Sequence, residues 1–244
     1  MSRSQKPSGK TVRQPRRQPA PRLDAMMTCD AAFRLVAQRC LGDLTANQEA
    51  TCKGDRTALH HMRMALTRLR TAILFFSPMV ADSQRTQIRD ELKWLNAHLG
   101  AVRDLDVAVE RLGAADKRQP QTAQYRSWNK KQANSHRLLA RALRSVRYRR
   151  LVEDTSDWIE NGPWCIKRGK QAKKERTSPI AAYGASKLQR WQQKLLKKSQ
   201  KLLEMDAEKR HRLRLLNKKL SYSIEAFEDL FADKRFAGQQ ASLK

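Results

Sequence analysis

A helical spacing of apolar residues is the feature that most constrains the fold of this chain. In the segment LHHMRMALTRLRTAILFF, residues 59–76, apolar side chains recur every three or four positions. They therefore share one stripe of a helix with about 3.6 residues per turn. The residues of that stripe are Met62, Leu66, Leu69, Ile73 and Phe76. No segment of the chain alternates apolar and polar residues as a half-buried strand would. The sequence therefore predicts an all-α fold.

Capping and breaking residues set the predicted helix boundaries. Asp30 and Ser83 are candidate N-caps, Pro78 ends the helix that begins near Leu59, and Gly100 is a candidate helix end. The predicted helices span about 30–50, 59–76, 83–100, 101–113, 123–158, 180–205 and 207–231. A break at NGPW, residues 161–164, and a polar linker, KRGKQAKKERTSP, separate two helical halves.

Cations lie beside the apolar stripe of the helix at 59–76. His60, Arg63 and Arg70 fall within an arc of roughly 80° on the helical wheel, with Thr67 between them. His61 lies about 100° away from His60. A solvated basic face at the edge of a core would give the same pattern. One such helix therefore does not distinguish a binding face from an ordinary surface.

A second segment, HRLRLLNKKLSYSIEAF, repeats the spacing. His211, Arg214 and Lys218 stand at the same relative positions as His60, Arg63 and Thr67, and Ser221 stands where the first copy has Arg70. Leu213, Leu220, Ile224 and Phe227 are the apolar residues that can face a core in this segment. Two helices with matching cationic faces indicate a duplicated architecture.

Two further columns of cations recur at helical spacing. The first column comprises Lys187, Arg190, Lys194, Lys197 and Lys201, and the second comprises Arg137, Arg141, Arg144 and Arg147. Like charges three or four residues apart destabilise an isolated helix by a few tenths of a kcal/mol per pair, roughly. A bound anion would remove that cost, although a hydrated lysine-rich surface is an equally good interpretation of either column.

The charge balance defines the class of partner. The chain has 51 Lys and Arg against 24 Asp and Glu, a formal net charge of +27, so its field attracts polyanions. Residues 1–22 are rich in basic residues and proline and contain no acid, which predicts a disordered basic arm. No apolar run is long enough to cross a membrane and no signal peptide is evident, so we expect a cytoplasmic protein without membrane contact.

Catalytic and metal sites are not expected. Asp104 and Asp106 could bind Mg²⁺ only if they faced the same way, but their spacing turns them to different sides of a helix and favours structural ion pairing. The adjacent His60 and His61 diverge on a helix and do not form a zinc pair. The four cysteines show no C-x-x-C spacing and fit reduced thiols. The sequence contains no Gly-rich phosphate loop. We therefore expect a protein without enzymatic activity, cofactor or metal.

Four segments in order carry a family resemblance. LHHMRMALTRLRTAILFFSPMV, ELKWLNAHLGAVRDLDVAVERL, LRSVRYRRLVEDTSDWIENGPW and HRLRLLNKKLSYSIEAF closely resemble the conserved histidine α-helical domain (CHAD) family. The resemblance covers about residues 30–231 and implies two antiparallel helical bundles, related by a pseudo-two-fold axis, around a basic central channel. It also implies binding of inorganic polyphosphate and association with polyphosphate granules.

The resemblance implies a site and an organisation along the chain. It assigns six residues to the channel, three from each half: His60, Arg63 and Arg70, and His211, Arg214 and Lys218. Residues of the two cation columns are further candidates for binding polyphosphate: Lys187, Arg190, Lys194, Lys197, Arg137, Arg141 and Arg144. The expected organisation is a basic arm at 1–29, a first half at 30–160, a linker at 161–178, an incomplete second half at 179–231 and a tail at 232–244.

The sequence departs from the family pattern at two motif positions and at its C-terminal end. Thr67 and Ser221 stand where the family has cations, and the later helices expected to complete the second bundle do not follow residue 231. A monomer or a homodimer could therefore close the channel. The expected function is a non-catalytic polyphosphate-binding module, and the alternative is a general nucleic-acid or anion-binding protein. Weak binding of nucleic acid is expected beside polyphosphate.

Overall fold

The computed structural model describes residues 23–115, 123–166 and 168–226. The α-helices in those ranges are α1 (Cys29–Ala46), α2 (Gln48–Cys52), α3 (Arg56–Phe75), α4 (Arg85–Ala115), α5 (Ala123–Leu143), α6 (Val146–Asn161), α7 (Lys170–Thr177), α8 (Ile180–Ser199) and α9 (Ala207–Ala226). Short 3₁₀ helices span Pro163–Ile166 and Leu202–Glu204. The described ranges contain no β-strand, only an isolated bridge between Thr28 and Pro179. The all-α prediction is confirmed.

Helix α3 is the centre of the packing. It contacts α1, α2, α4 and α9, because its apolar stripe is buried on the side that faces the other helices. Every residue of the predicted stripe is at most 3 % exposed: Met62, Leu66, Leu69, Ile73 and Phe76. The helical spacing in the sequence therefore identified the core face of this helix correctly.

An aromatic cluster joins the two halves of the chain at one end of α3. The Phe33 ring of α1 packs edge-on against Phe76, Trp158 and Trp164, with ring centroids 5.3–5.8 Å apart. The Phe75 ring meets Tyr183 of α8 edge-on at 5.7 Å. Edge-to-face pairs of this kind add to the gain from burial alone. The cluster fixes α1, α3, α6 and α8 relative to one another.

Helix α4 differs from the prediction because it runs through Gly100 without a break. Its apolar stripe continues on both sides of the glycine, and Leu95, Leu99 and Val102 are all buried. Tertiary packing of that stripe outweighs the intrinsic cost of about 1 kcal/mol for a glycine inside a helix. The predicted helices 83–100 and 101–113 are therefore one helix.

The predicted basic helix at 123–158 is two helices. Helix α5 ends at Leu143 and α6 begins at Val146. The Ser145 hydroxyl accepts a hydrogen bond from the Tyr148 main-chain nitrogen at 3.2 Å, which caps the start of α6. Arg144 lies in the turn between the helices. The predicted four-arginine column therefore does not lie on one helix.

Both predicted N-caps are wrong by a residue or two. Thr28 occupies the N-cap position of α1, and Asp30 lies in the first turn, where its carboxylate accepts from the Thr28 hydroxyl. At the start of α4 the capping carboxylate belongs to Asp82 rather than to Ser83. Its Oδ1 accepts from the main-chain nitrogens of Gln84 at 3.0 Å and Arg85 at 2.8 Å.

The segment predicted as a linker contains ordered structure. Gly162 is required at its start, because a Cβ there would lie 2.5 Å from the Trp158 carbonyl oxygen. A 3₁₀ helix at Pro163–Ile166 and helix α7 follow. Residues 1–22 of the predicted arm, and the part of the last predicted helix and the tail beyond residue 226, lie outside the described residues. Residues 23–29 of the predicted arm are described, and Leu23 and Cys29 are buried. None of the helices in the described ranges has the length and apolarity of a membrane span.

Asp82 should be a larger contributor to stability than an ordinary cap. Its Oδ2 also accepts from the buried Trp158 Nε1 at 2.9 Å and the Trp164 main-chain nitrogen at 3.2 Å. Asp82→Ala removes the cap and leaves buried donors without a partner, so we expect a loss of about 2–4 kcal/mol in the free energy of unfolding. Denaturant titration followed by circular dichroism measures it.

The matched control is Asp55→Ala at the start of α3. Asp55 caps through the main-chain nitrogens of Thr57 and Ala58 but is exposed, so its removal should cost about 1 kcal/mol. Equal losses for the two variants would contradict the role assigned to the tryptophan contacts of Asp82.

Candidate anion-binding cleft

Three helices, α3, α4 and α9, line a cleft of about 890 Å³. The cationic and histidine side chains that line it are His60, Arg63, Arg70, Arg85, Arg89, Lys93, Arg103, Lys218 and Lys219. Asp90 is the single acidic residue in its described lining. The cleft is therefore a concave surface with a large excess of positive charge.

Helix α3 supplies the first wall. His60, Arg63 and Arg70 all line the cleft, with Thr67 between them, because the core stripe fixes the rotation of the helix about its axis. The Thr67 hydroxyl donates to the Arg63 carbonyl oxygen at 2.8 Å, so it is turned back onto its own helix. His61 is exposed and does not line the cleft. The structure thus places together His60, Arg63 and Arg70, the three residues that share one arc of the helical wheel.

Helix α9 supplies another wall but uses only part of the predicted face. Lys218 lines the cleft, together with Lys219 and Tyr222. His211 and Arg214 are exposed and do not line it. The lining on α9 begins at Leu215, so His211 and Arg214 lie N-terminal to the part of the helix that lines the cleft.

The wall formed by α4 was missed by sequence reasoning. Arg85, Arg89 and Lys93 line the cleft at successive steps of four residues, and Arg103 follows further along the helix. The spacing is visible in RTQIRDELK, but the segment also contains Asp90 and Glu91, and spacing alone does not show which helices these side chains face. In the structure the Glu91 carboxylate pairs with another helix.

Glu91 pairs with Arg147 of α6, away from the cleft. The Arg147 Nε lies 2.8 Å from Glu91 Oε2, and its guanidinium stacks 4.3 Å from the centroid of the Trp94 ring. The hydrogen bond from Arg147 lowers the pKa of Glu91. Because this carboxylate is already neutralised, it does not compensate the cations that α4 presents to the cleft.

The other predicted columns lie outside the cleft. Arg137 and Arg141 are exposed on α5, and the Arg137 guanidinium donates to Asn134 Oδ1 at 3.3 Å. In the predicted α8 column, Lys187, Arg190, Lys194 and Lys197 lie on α8, whereas Lys201 lies beyond the end of the helix at Ser199. None of the five lines the cleft. Burial, with the neighbouring Arg190 charge, lowers the pKa of Lys187. The structure does not join these columns to the α3 and α4 walls.

Ion pairs among the described residues do not neutralise the positive charge of the cleft. No Lys or Arg of the lining forms an ion pair with a carboxylate of the described residues. The Arg85 Nη1 donates to the Ser77 carbonyl oxygen at 2.8 Å. Burial, together with the neighbouring Arg89 charge, lowers the pKa of Arg70. An anion placed between these groups would remove their mutual repulsion.

Asp106 has a structural role. It is fully buried, and its Oδ1 accepts from Gln132 Nε2 at 2.7 Å and contacts His136 Nε2 at 2.9 Å, so it ties α4 to α5. Asp104 is exposed on a different side of the helix, as the spacing predicted. Within the described ranges, no cluster of three His, Cys, Asp or Glu side chains could hold a metal ion.

Comparisons with known proteins agree on one family. The family model of the CHAD domain matches residues 35–244. The chain is similar to the crystal structure of the CHAD domain from the plant Ricinus communis, with a TM-score of 0.70 and 25 % sequence identity over 95 % of this chain and 79 % of that chain. No curated protein matches the sequence.

The unpaired charges of the cleft should lower the stability of the free protein. Arg89→Gln removes the repulsion of Arg89 with Arg85 and with Lys93, each four residues away, and glutamine is also a good helix former. The free energy of unfolding should therefore rise by roughly 0.5–1 kcal/mol at low salt. The gain should shrink in 1 M salt because of screening. Thermal and denaturant unfolding at the two salt concentrations measures both effects.

Arg147→Gln is the matched control on a paired arginine. It removes the ion pair with Glu91 and the contact with Trp94, so it should lower the melting temperature. If both variants change stability in the same direction, the distinction between paired and unpaired arginines is wrong.

Proposed function

The chain belongs to the CHAD domain family, and on that premise we propose that it binds inorganic polyphosphate in the cleft between α3, α4 and α9. The family resemblance supplies the ligand, and the cleft supplies a surface that suits it. We propose a binding module, associated with polyphosphate granules, that holds the polymer without transforming it.

One observation carries the proposal: eight Lys and Arg line the cleft against one Asp, and none of the eight pairs with a described carboxylate. Arginine offers a planar fork that matches two phosphate oxygens, and lysine offers a mobile point charge. Cations that have no ion-pair partner among the described residues are available for an external anion. A polymer with a charge on every unit can contact many of them at once.

The spacing of the cations suits a repeating anion. Arg85, Arg89 and Lys93 rise about 6 Å per step along α4, while α3 and α9 present further cations from other directions. Flexible side chains at this spacing can reach successive phosphates of a chain that lies along the cleft. Tyr222 is the only Phe, Trp or Tyr in the described lining, whereas single-stranded nucleic acid is bound with several stacking platforms.

A general anion-binding function is the second candidate. The exposed cations of α8, such as Lys194 and Lys197, lie outside the cleft and offer a surface for any polyanion. Binding through such a surface is driven by counterion release and is indifferent to the kind of backbone. Competition and charge reversal distinguish the two candidates.

Charge reversal within the cleft should abolish tight polyphosphate binding. Arg63→Glu with Arg89→Glu removes two charge-assisted contacts and adds repulsion, so affinity for long-chain polyphosphate should fall at least about 100-fold. In the parent protein, polyphosphate should displace RNA and duplex DNA at equal phosphate concentration. Fluorescence anisotropy with labelled polyphosphate measures both, and circular dichroism verifies that the variants are folded.

The control changes net charge by the same amount on α8. Lys194→Glu with Lys197→Glu lies outside the cleft, so affinity should fall less than about tenfold, through screened attraction alone. An equal loss in both variants, or equal competition by nucleic acid, would replace the proposed function with general anion binding.

His60 should contribute a hydrogen-bond donor to the bound anion. Its imidazole lines the cleft, and a ring N–H can donate to a phosphate oxygen. His60→Ala should therefore lower affinity for polyphosphate about two- to tenfold, the loss that corresponds to one hydrogen bond. His61→Ala, which changes an exposed residue outside the cleft lining, should leave affinity unchanged. Equal affinities of the two variants in fluorescence anisotropy would contradict a role for His60.

A further inference from the structure

Helix α9 lines the cleft with few apolar contacts behind it. In the described part of this helix only Leu220 and Ser223 are buried, and the Ser223 hydroxyl has no hydrogen-bond partner there. By contrast, ten residues of α3 are buried. Because burial of apolar area is the main source of packing energy, the described part of α9 gains less packing energy than the other two walls.

Two polar contacts hold α9 against α3. The Arg68 Nη2 lies 2.6 Å from Glu225 Oε1, with the two side chains 33 % and 47 % exposed. One turn away, the Tyr222 hydroxyl lies 3.8 Å from the Met64 sulfur. Arg68 and Glu225 are outside the cleft lining, whereas Met64 and Tyr222 are part of it. The ion pair therefore lies next to the cleft without occupying it.

Charge opposes this attachment when the cleft is empty. Helix α9 carries six Lys and Arg but only Glu208 and Glu225 as acids, and it faces the cations of α3 and α4 across the cleft. Glu208 pairs within α9, with Arg212. Glu225 is thus the only acid in the described part of α9 that forms an ion pair with another helix.

We infer that the Arg68–Glu225 ion pair is a latch that positions α9 as the third wall of the cleft, and that a bound polyanion strengthens the closed arrangement. The inference rests on the proposed function, because an anion bound between the walls attracts the cations of each wall and so offsets their mutual repulsion. Without the latch, the protein spends less time with Lys218 and Lys219 in place. The apparent affinity is then the affinity of the closed form multiplied by the fraction of molecules that are closed.

Glu225→Gln tests the latch against simple electrostatics. The substitution makes the protein more positive, so long-range attraction alone would raise affinity for polyphosphate. Loss of the latch should instead lower affinity about two- to fivefold, the range expected when an exposed ion pair no longer favours one of two positions. Glu208→Gln changes net charge by the same amount on the same helix without a contact to α3, so its affinity should stay equal or rise.

Charge exchange provides the rescue. Arg68→Glu with Glu225→Arg keeps the net charge and restores an ion pair with reversed polarity, so affinity should return to within about twofold of the parent. Each single substitution, Arg68→Glu or Glu225→Arg, should bind more weakly than the double variant if the two residues act together. A double variant that binds no more tightly than the two single variants, or equal responses of Glu225→Gln and Glu208→Gln, would overturn the latch.

Amide hydrogen exchange of α9 separates failure of the latch from failure of the proposed function. In the free protein, the amides of residues 213–224 should exchange faster in Glu225→Gln than in Glu208→Gln, because α9 opens more often. This difference needs no ligand. If it appears while the parent does not bind polyphosphate, the proposed function is wrong and the latch stands. If the parent binds but the two variants exchange alike, the latch is wrong and the proposed function stands.

Discussion

The fixed angle between two stripes of side chains on α3, one apolar and one cationic, determines the direction in which the cations of this helix face. One stripe is buried, including Met62 and Leu66, and the adjacent stripe carries His60, Arg63 and Arg70 into the cleft. A helix cannot bury the first stripe without presenting the second beside it. The core therefore orients the site, and the aromatic cluster around Phe33 and Phe76 keeps the helix ends from shifting.

The cleft concentrates repulsion that the rest of the structure must offset. Its Lys and Arg side chains have no carboxylate partner in the described residues, while acids elsewhere are used in contacts that hold helices together. Glu91 pairs with Arg147 on the outer side of α4, and Asp106 ties α4 to α5 from within. Because these acids pair outside the cleft, they hold its helices in place without reducing its positive charge.

Much of the fold could be predicted from local spacing, whereas the full extent of the site could not. Periodicity identified the core face of α3 and grouped His60 with Arg63 and Arg70, because both features belong to one helix. It missed the α4 wall, since whether Arg85 and Arg89 face the same cleft depends on how helices pack. It also joined Arg144 and Arg147 in one column, because Ser145 was not recognised as the cap that separates two helices. On α9 the repeated motif identified Lys218 but could not show that the cleft begins only at Leu215.

The central claim is that the cleft of α3, α4 and α9 is where the anion lies. A crystal structure of the protein bound to polyphosphate tests it most directly. The account predicts phosphate density between the three helices, with phosphate oxygens within hydrogen-bond distance of the Arg63 and Arg89 guanidiniums. Phosphate density confined to the exposed lysines of α8, with none in the cleft, would contradict it.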